Sequence, residues 1–361
     1  MDLNNVKKKQ IVKELDLKEK LIKPKKMQKI SNNIINLHKE KILCVLLDDN
    51  PKYFKWFAKK PFLDFELNIS YSMFSKIGKK YFIKIIFSKY SDYKKDFVKK
   101  YWFFDKIWKK SNIKIKPDLF FDKIPLTKKG LLIKKELSKK NIIFNSCELD
   151  LFCKDKFLQS IEFSDYSPKT FLIKNNASFL KSIKKISSKY AVLKPRFGLG
   201  SEGVEIIDLN KNFKKNIKKS FKEDFVLQEF IDTSKGIPKT KIKSTHDLRC
   251  VIINGAIEFC FVRMPKKGFI ASIHRGANVI SIDPPKQVFP LIKKIDFFMK
   301  KFGNRFYSID LFFSKNKFYL IELNSKPGFG VGVEFGFVKK EEKLMIKIFE
   351  NIILKHPVIK N

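Results

Sequence analysis

Apolar positions first gather at Ile42-Leu43-Cys44-Val45-Leu46-Leu47, an unbroken run that ends in Asp48-Asp49-Asn50. A run this short and this apolar predicts a strand buried on both faces, followed by a loop. Further strands are expected over 81–87, 118–121 and 141–144, with helical spacing over 93–109 and 127–139. Strand alternating with helix describes a small α/β domain with a parallel sheet, spanning 41–150. After 150 the pattern changes. Helices are expected over 153–163 and 176–188, then strands arranged as hairpins: 191–194 with 204–208 around a Gly-rich turn, then 225–230. Strands 248–253 and 256–263 flank Asn254-Gly255, a pair suited to a type I′ turn. Strands 306–313 and 318–323 flank Ser314-Lys315-Asn316-Lys317, and helices are expected over 287–302 and 341–355. The fold class is therefore α/β, becoming α+β with antiparallel sheets over 151–361. Residues 1–40 are highly charged and read as a helical or disordered arm.

Composition changes this picture in two ways. The formal charge is +40, yet only five of the 77 basic residues are Arg. Lys, Phe, Ile and Asn are all abundant along the whole chain, which reads as coding bias rather than a phosphate-tracking surface, where clustered Arg and aromatic platforms are usual. No specific nucleic-acid partner is expected. Against that background Arg196, Arg249, Arg263, Arg275 and Arg305 stand out, because Lys cannot imitate a planar guanidinium fork. Glycine is skewed too: 12 of 14 lie after residue 190, concentrating special backbone geometry in the C-terminal half. The scattered cysteines Cys44, Cys147, Cys153, Cys250 and Cys260 form no CxxC pair and read as reduced thiols; zinc is not suggested. No apolar stretch approaches the length of a transmembrane helix, and Met1 to Lys20 lack the apolar run of a secretory signal. A cytoplasmic location without membrane contact is the expectation; homo-oligomerisation is open.

Four constellations carry candidate chemistry. Lys194-Pro195-Arg196-Phe197-Gly198-Leu199-Gly200-Ser201-Glu202-Gly203 ends one strand and turns into the next. Glycines let backbone N–H groups approach a phosphate while Lys194 supplies countercharge. The Walker spacing is absent, so this is either a different phosphate loop or an ordinary hairpin. Asp310, Glu322 and Asn324 form the second set. Glu322 and Asn324 are two apart and share a sheet face. With the turn centred on Asn316, Asp310 falls opposite Glu322, and two facing carboxylates repel unless a cation lies between them. An all-oxygen set suits Mg²⁺ or Mn²⁺; a solvated strand face is the alternative. Third, Gln228-Glu229-Phe230 ends an apolar strand whose backbone could meet an adenine edge, or be a plain strand. Fourth, Arg249 and Arg275 are candidates to clamp a transferring phosphoryl group or to form surface ion pairs. His274 beside Arg275 reads as either ligand contact or structural.

The order of Lys154-Asp155-Lys156, Lys194-Pro195 with its Gly loop, Gln228-Glu229, Asp247-Leu248-Arg249, His274-Arg275-Gly276, Asp310, and Glu322-Leu323-Asn324-Ser325-Lys326-Pro327-Gly328 resembles the ATP-grasp superfamily over about 150–335. It is similar to the group containing glutathione synthetase and the ribosomal-protein glutamate ligases. The resemblance implies a small parallel α/β pre-ATP-grasp domain at 41–150 and a two-lobed ATP-grasp domain at 151–361. It implies that Lys156, Lys194, Gly198, Gly200, Ser201 and Gly203 surround ATP phosphates. Gln228, Glu229 and Phe230 would face the base, Asp247 the ribose, and His274 the nucleotide. Asp310, Glu322 and Asn324 would hold two Mg²⁺ (or Mn²⁺) ions, with Glu322 bridging, and Arg249 and Arg275 would steady the γ-phosphate and the acyl-phosphate. The implied activity joins a small-molecule or peptide carboxylate to an amine, releasing ADP and phosphate. A small-molecule kinase and a nucleotide-binding protein without turnover are the rival readings. Ser272 and Ile270 stand where the glutamate ligases usually have Asn and Arg, and Lys326 replaces a small residue; its ammonium is placed to meet a substrate carboxylate. These departures leave the acceptor open.

Overall fold

The computed structural model describes residues 40–50, 54–140, 142–198, 200–210 and 221–355. Residues 1–39 of the arm expected over 1–40, and Leu199 of the Gly-rich turn, lie outside the described residues. Eight strands come first: β1 (Lys41–Leu47), β2 (Ile83–Lys89), the short hairpin β3–β4 (Tyr93–Lys94, Phe97–Val98), β5 (Tyr101–Asp105), β6 (Ile107–Ser111), β7 (Leu119–Asp122) and β8 (Ile143–Phe144). Six of them form one sheet in the order β6-β5-β2-β1-β7-β8. Its centre is parallel, as expected: β1 pairs with β2 and β7, and β7 with β8. The β2–β5 and β5–β6 pairs are antiparallel, so the sheet is mixed.

That edge is where the helix expected over 93–109 fails. Lys95, Asp96 and Lys106 take positive φ (47°, 69° and 60°) and make tight reversals that no helix contains. The Tyr101-Trp102-Phe103-Phe104 run packs better on a pleated sheet than on a helix. Two helices flank this sheet, α1 (Phe65–Lys80), which the sequence pattern did not reveal, and α2 (Lys128–Lys139), capped where Thr127 Oγ1 accepts from Gly130 N at 3.1 Å.

The single helix expected over 153–163 is two, α3 (Cys147–Lys154) and α4 (Lys156–Glu162). Asp155 breaks the run because its carboxylate caps α4, accepting from Phe157 N (3.1 Å) and Leu158 N (3.0 Å). Then follow β9 (Thr170–Ile173), α5 (Asn176–Ile183), β10 (Tyr190–Pro195), β11 (Glu205–Asp208) and β12 (Phe225–Glu229), forming an antiparallel sheet β11-β10-β12-β9. The third sheet contains β13 (Asp247–Ile253), β14 (Ala256–Met264), β15 (Asn278–Ser281), β16 (Phe306–Ser314) and β17 (Lys317–Asn324), in the order β15-β14-β13-β16-β17. Helix α6 (Val288–Met299) buries Val288, Leu291 and Ile295 against one face of it, with Leu248, Cys250, Ile252 and Ile309. The other face is left for the site. The chain then forms α7 (Val331–Phe335), α8 (Val338–Ile348) and a π-helical turn, Phe349–Ile353. Among the described residues no helix is long and apolar enough to cross a membrane. All five cysteines are buried and unbridged.

Two buried polar systems tie the first sheet to the end of β17. Asn145 donates to Phe306 O (2.6 Å) and Ser325 O and accepts from Phe306 N (2.7 Å). Lys134, fully buried, pairs with Asp122 (2.6 Å) and Asp150, and Asp150 also takes Ser325 Oγ and the Lys326 ammonium (2.9 Å). The β13–β14 turn depends on Gly255, at φ 90°. A Cβ there would stand 2.3 Å from Asp296 Oδ2, a carboxylate held by Arg305 and Tyr307. Gly255→Ala should therefore cost about 1–3 kcal/mol in chemical denaturation. Gly303→Ala is the control: φ there is 76° but a Cβ would meet nothing within 4 Å, so its loss should be smaller. Equal losses would remove the Asp296 clash from the account.

Candidate active site

The second and third sheets face each other across a cavity of about 730 Å³. Strand alternation sends Asp247, Arg249 and Val251 of β13, and Phe259, Phe261 and Arg263 of β14, into it. Cross-strand register sorts these residues into rows: Asp247 faces Arg263, Arg249 faces Phe261 and Asp310, and Asp310 faces Glu322. The expected opposition of the two carboxylates is present, but their repulsion is answered by arginine. Arg249 binds Asp310 with both prongs, Nε to Oδ1 and Nη2 to Oδ2, each 2.6 Å. Arg263 reaches Asp310 Oδ2 at 2.9 Å and also pairs with Asp247. Burial alone would raise the Asp310 carboxyl; Arg249 and Arg263 more than reverse that and hold it well below the usual carboxylate range. Asp247 goes the other way, raised by burial against the pull of Arg263.

Arg263 is a residue of the cavity that sequence reasoning left without a role. It is buried, bridges two carboxylates and lines the cavity. Arg196 and Arg305, also left without a role, are structural. Arg196 binds Asp155 with Nε (2.8 Å) and Nη2 (2.6 Å) and reaches Asp224 (3.0 Å); Arg305 binds Asp296.

Lys194, near the end of β10, is buried and donates to Gln228 Oε1 at 3.0 Å. Burial pushes its ammonium down to about 8; Glu322 and Asp310 oppose this and Lys156 adds to it. Lys156 opens α4, donates to Gly198 O and stands 3.8 Å from Glu322. Gly198, Gly200 and Ser201 line the cavity, and Ser201 adopts φ 63°, a costly left-handed conformation for a non-glycine residue. Gly203 and Arg275 are not in the lining. Gly203 (φ 68°) packs against Pro195, and exposed Arg275 donates to Ser201 O at 3.4 Å, tying the glycine loop to the turn Ile273–Arg275. His274 belongs to that turn; its side chain lies outside the described part of the structure.

Gln228, Glu229 and Phe230 line the opposite end with Phe269, whose ring centroid is 5.0 Å from that of Phe230. Of the backbone C=O and N–H groups expected to meet a base, the N–H groups are already used: Glu229 N donates to Lys169 O (2.9 Å) and Phe230 N to Ser188 Oγ (3.2 Å). Lys326 also departs from expectation. Its ammonium is tied to Asp150 (2.9 Å), Asp122 (3.5 Å) and Ile124 O rather than turned to a substrate.

The oxygen set at Asp310, Glu322 and Asn324 fits a hard divalent cation on three counts. Asp310 is held ionised, and its Oδ1 accepts only from Arg249, which leaves a lone pair. Glu322 has a weak contact with Lys156, and Asn324 lies 3.3 Å from it through an amide whose oxygen and nitrogen are interchangeable by rotation. Only two of the three are carboxylates, and among the described residues no cluster of three His, Cys, Asp or Glu stands ready for a metal.

Residues 153–352 match the family model of the RimK-like ATP-grasp domain. A probable alpha-L-glutamate ligase of Vibrio parahaemolyticus is 26% identical over 174 residues, covering 45% of this chain and 54% of the relative. The tetrahydromethanopterin:alpha-L-glutamate ligase of Methanocaldococcus jannaschii is 26% identical over 208 residues, 55% of this chain and 67% of the relative. The chain thus spans about half the length of the Vibrio relative. Among solved structures, D-alanyl-alanine synthetase A from Vibrio cholerae superposes with TM-score 0.57 at 13% identity, covering 88% of this chain and 99% of that one. A RiPP-associated ATP-grasp ligase from Chryseobacterium gregarium, in complex with ADP and a leader and core peptide, gives TM-score 0.56 at 14% identity, with 90% and 99% covered. These structural likenesses establish the shared fold, and the family model, spanning more than half of the sequence, establishes the kinship: the chain belongs to the RimK-like ATP-grasp family.

Proposed function

We propose that this protein is an ATP-dependent carboxylate–amine ligase that forms an amide through an acyl-phosphate and releases ADP and phosphate. One observation carries the reading. In one cavity Lys156, Lys194, Arg249 and Arg263 stand beside Asp310, Glu322 and Asn324, with Lys156 3.8 Å from Glu322, so a group of cations adjoins an oxygen donor set. That combination suits a polyphosphate accompanied by a divalent cation. In this reading 41–150 is the pre-ATP-grasp domain and 151–361 the grasp. The base lies against Phe230 and Phe269, and Gln228 and Asp247 bound the nucleoside. The glycine loop covers the phosphates, with Arg275 and the His274 turn holding that loop in place. Lys156 and Lys194 carry the countercharge. Asp310, Glu322 and Asn324 hold Mg²⁺ or Mn²⁺, expected as two ions, which when bound neutralises charge on the phosphates.

Chemically, a carboxylate oxygen attacks the γ-phosphorus and ADP departs. Arg249 then faces the acyl-phosphate, with its Nη1 outside the bonds to Asp310. An amine attacks the acyl carbon, loses a proton, and phosphate leaves. The test is ADP and phosphate release over a panel of acids and amines, with mass spectrometry of the product. An amide whose mass equals acid plus amine minus water supports the reading; a phosphorylated product with no amide would replace it by a kinase.

The lysine gives an independent check. An ammonium pushed down to about 8 in the free protein should rise when phosphate arrives beside it. Nucleotide binding near pH 8 should then take up a proton, and affinity should weaken as pH rises from about 7 to 9.5. Calorimetry in buffers of different ionisation enthalpy reads this directly. Lys194→Met should weaken binding and abolish the uptake; a flat pH profile in the parent protein would remove Lys194 from the phosphate site.

A further inference from the structure

The rows of the third sheet give the cavity a direction. Moving along β13 and β14 by two residues at a time, about 7 Å per step, the cavity-facing pairs run Asp247 with Arg263, Arg249 with Phe261, and Val251 with Phe259. On β13 and β14, charge is therefore confined to the first two rows. In the third row Val251 and Phe259 meet Phe329 and Leu344 of the same apolar cluster, with Leu67 of α1 packed against it. All of these line the cavity. The base-facing end, with Phe230 and Phe269, lies beyond the charged centre on the other side. The cavity thus has apolar surface at both ends, of which a nucleotide would cover one.

The polar groups at the second apolar end point the same way. Lys326 is its cation among the described lining residues, and that ammonium is already bound by Asp150 and Asp122. Glu66, Glu334 and Glu341 also border the cavity, the last with its carboxylate accepting from Gly330 N and Gly332 N. A substrate bearing a second carboxylate would bring an anion beside apolar and acidic side chains with no uncommitted cation among the described lining residues, which is costly.

We infer that the non-nucleotide substrate seated beyond Glu322 has an apolar body, aliphatic or aromatic, and no carboxylate besides any that reacts. This rests on the ligase reading above and sets the chain apart from the two relatives named as glutamate ligases. The experiment is ADP release with Mg²⁺ and ATP over two matched sets of amino acids: leucine, valine and phenylalanine against glutamate and aspartate, each tried as donor and as acceptor. The expected result is kcat/KM at least about tenfold higher for the apolar set. A preference for glutamate or aspartate would overturn the inference while leaving the ligase reading intact. Absence of ADP release from either set, with nucleotide still bound by calorimetry, would overturn both. Leu67→Lys, at the partly buried rim, supplies the second arm. It should lower kcat/KM for the apolar set and raise that for the acidic set, with nucleotide affinity unchanged. An equal fall for both sets would show that Leu67 does not touch the substrate and would count against this end as its seat.

Discussion

Glu322→Gln should abolish ADP release, lowering turnover by about three orders of magnitude or more, while leaving the fold intact. The two halves of that expectation have separate causes. Glu322 contributes little to packing: its side chain is 27% exposed, Lys156 is 3.8 Å away and the Asn324 amide 3.3 Å. An amide of the same shape keeps those contacts nearly unchanged, so the melting temperature should move by no more than a few degrees. The charge, however, is the part that a divalent cation would need. Of the three oxygen donors, Asp310 is already shared between two arginines and Asn324 is neutral. Glu322, whose contacts with Lys156 and Asn324 are long, is thus the less committed carboxylate of the set and the one best able to give its charge to a metal. Nucleotide binding without metal should survive in the variant, because Lys156 and Lys194 remain. Parent-like ADP release from a folded Glu322→Gln protein would remove the carboxylate from the chemistry.

The position of Glu322 shows how far the sequence was readable, and why part of the answer came out by compensation. The turn after β16 reverses at Lys315 and Asn316, both at positive φ, with Ser314 paired to Lys317. That two-residue turn, continued regularly, would set Asp310 opposite Ile321 and turn Glu322 away. A bulge between Asp310 and Leu311 adds one residue to β17 and restores Glu322 to the site face. Centring the turn on Asn316 reached the same pairing by a different route. The β13–β14 hairpin behaves likewise. Ile253 pairs with Ala256, but a bulge near Val251 shifts the register so that Arg263 faces Asp247. Without it Arg263 would be offset by one residue, which is why its bridging role was not legible. Hairpins, long apolar runs and glycine-rich turns can be read locally. Bulges cannot, since they are fixed by what the sheet packs against. The mixed edge of the first sheet escaped for the same reason: Tyr101 to Ser111 finds its conformation by pairing with β2, a contact remote in sequence.

Arg263 also carries the largest expected effect on stability. Arg263→Met should destabilise the protein by about 3–5 kcal/mol near neutral pH, because it leaves Asp247 buried without its partner and removes one of the two cations on Asp310. The pH dependence distinguishes this cause from lost packing. Burial already raises the Asp247 carboxyl above its ordinary value, with Arg263 as the main opposing influence. Without Arg263 that carboxyl rises further. An acid whose folded value exceeds its unfolded value destabilises the fold once the unfolded state ionises, and the loss grows with pH until the folded group also titrates. The gap between variant and parent should therefore narrow as pH falls from about 8 to 5, where Asp247 can stay protonated in the variant. Adding Asp247→Asn to Arg263→Met should recover much of the lost stability, since the orphaned charge is gone, but it should not recover ADP release if Arg263 also orients Asp310 and Arg249. Urea denaturation at several pH values measures the first expectation and the double variant the second. A gap constant across that range, unrelieved by Asp247→Asn, would show that Arg263 acts by filling space, and the charge ladder from Asp247 through Arg263 and Asp310 to Arg249 would lose its role in shaping the site.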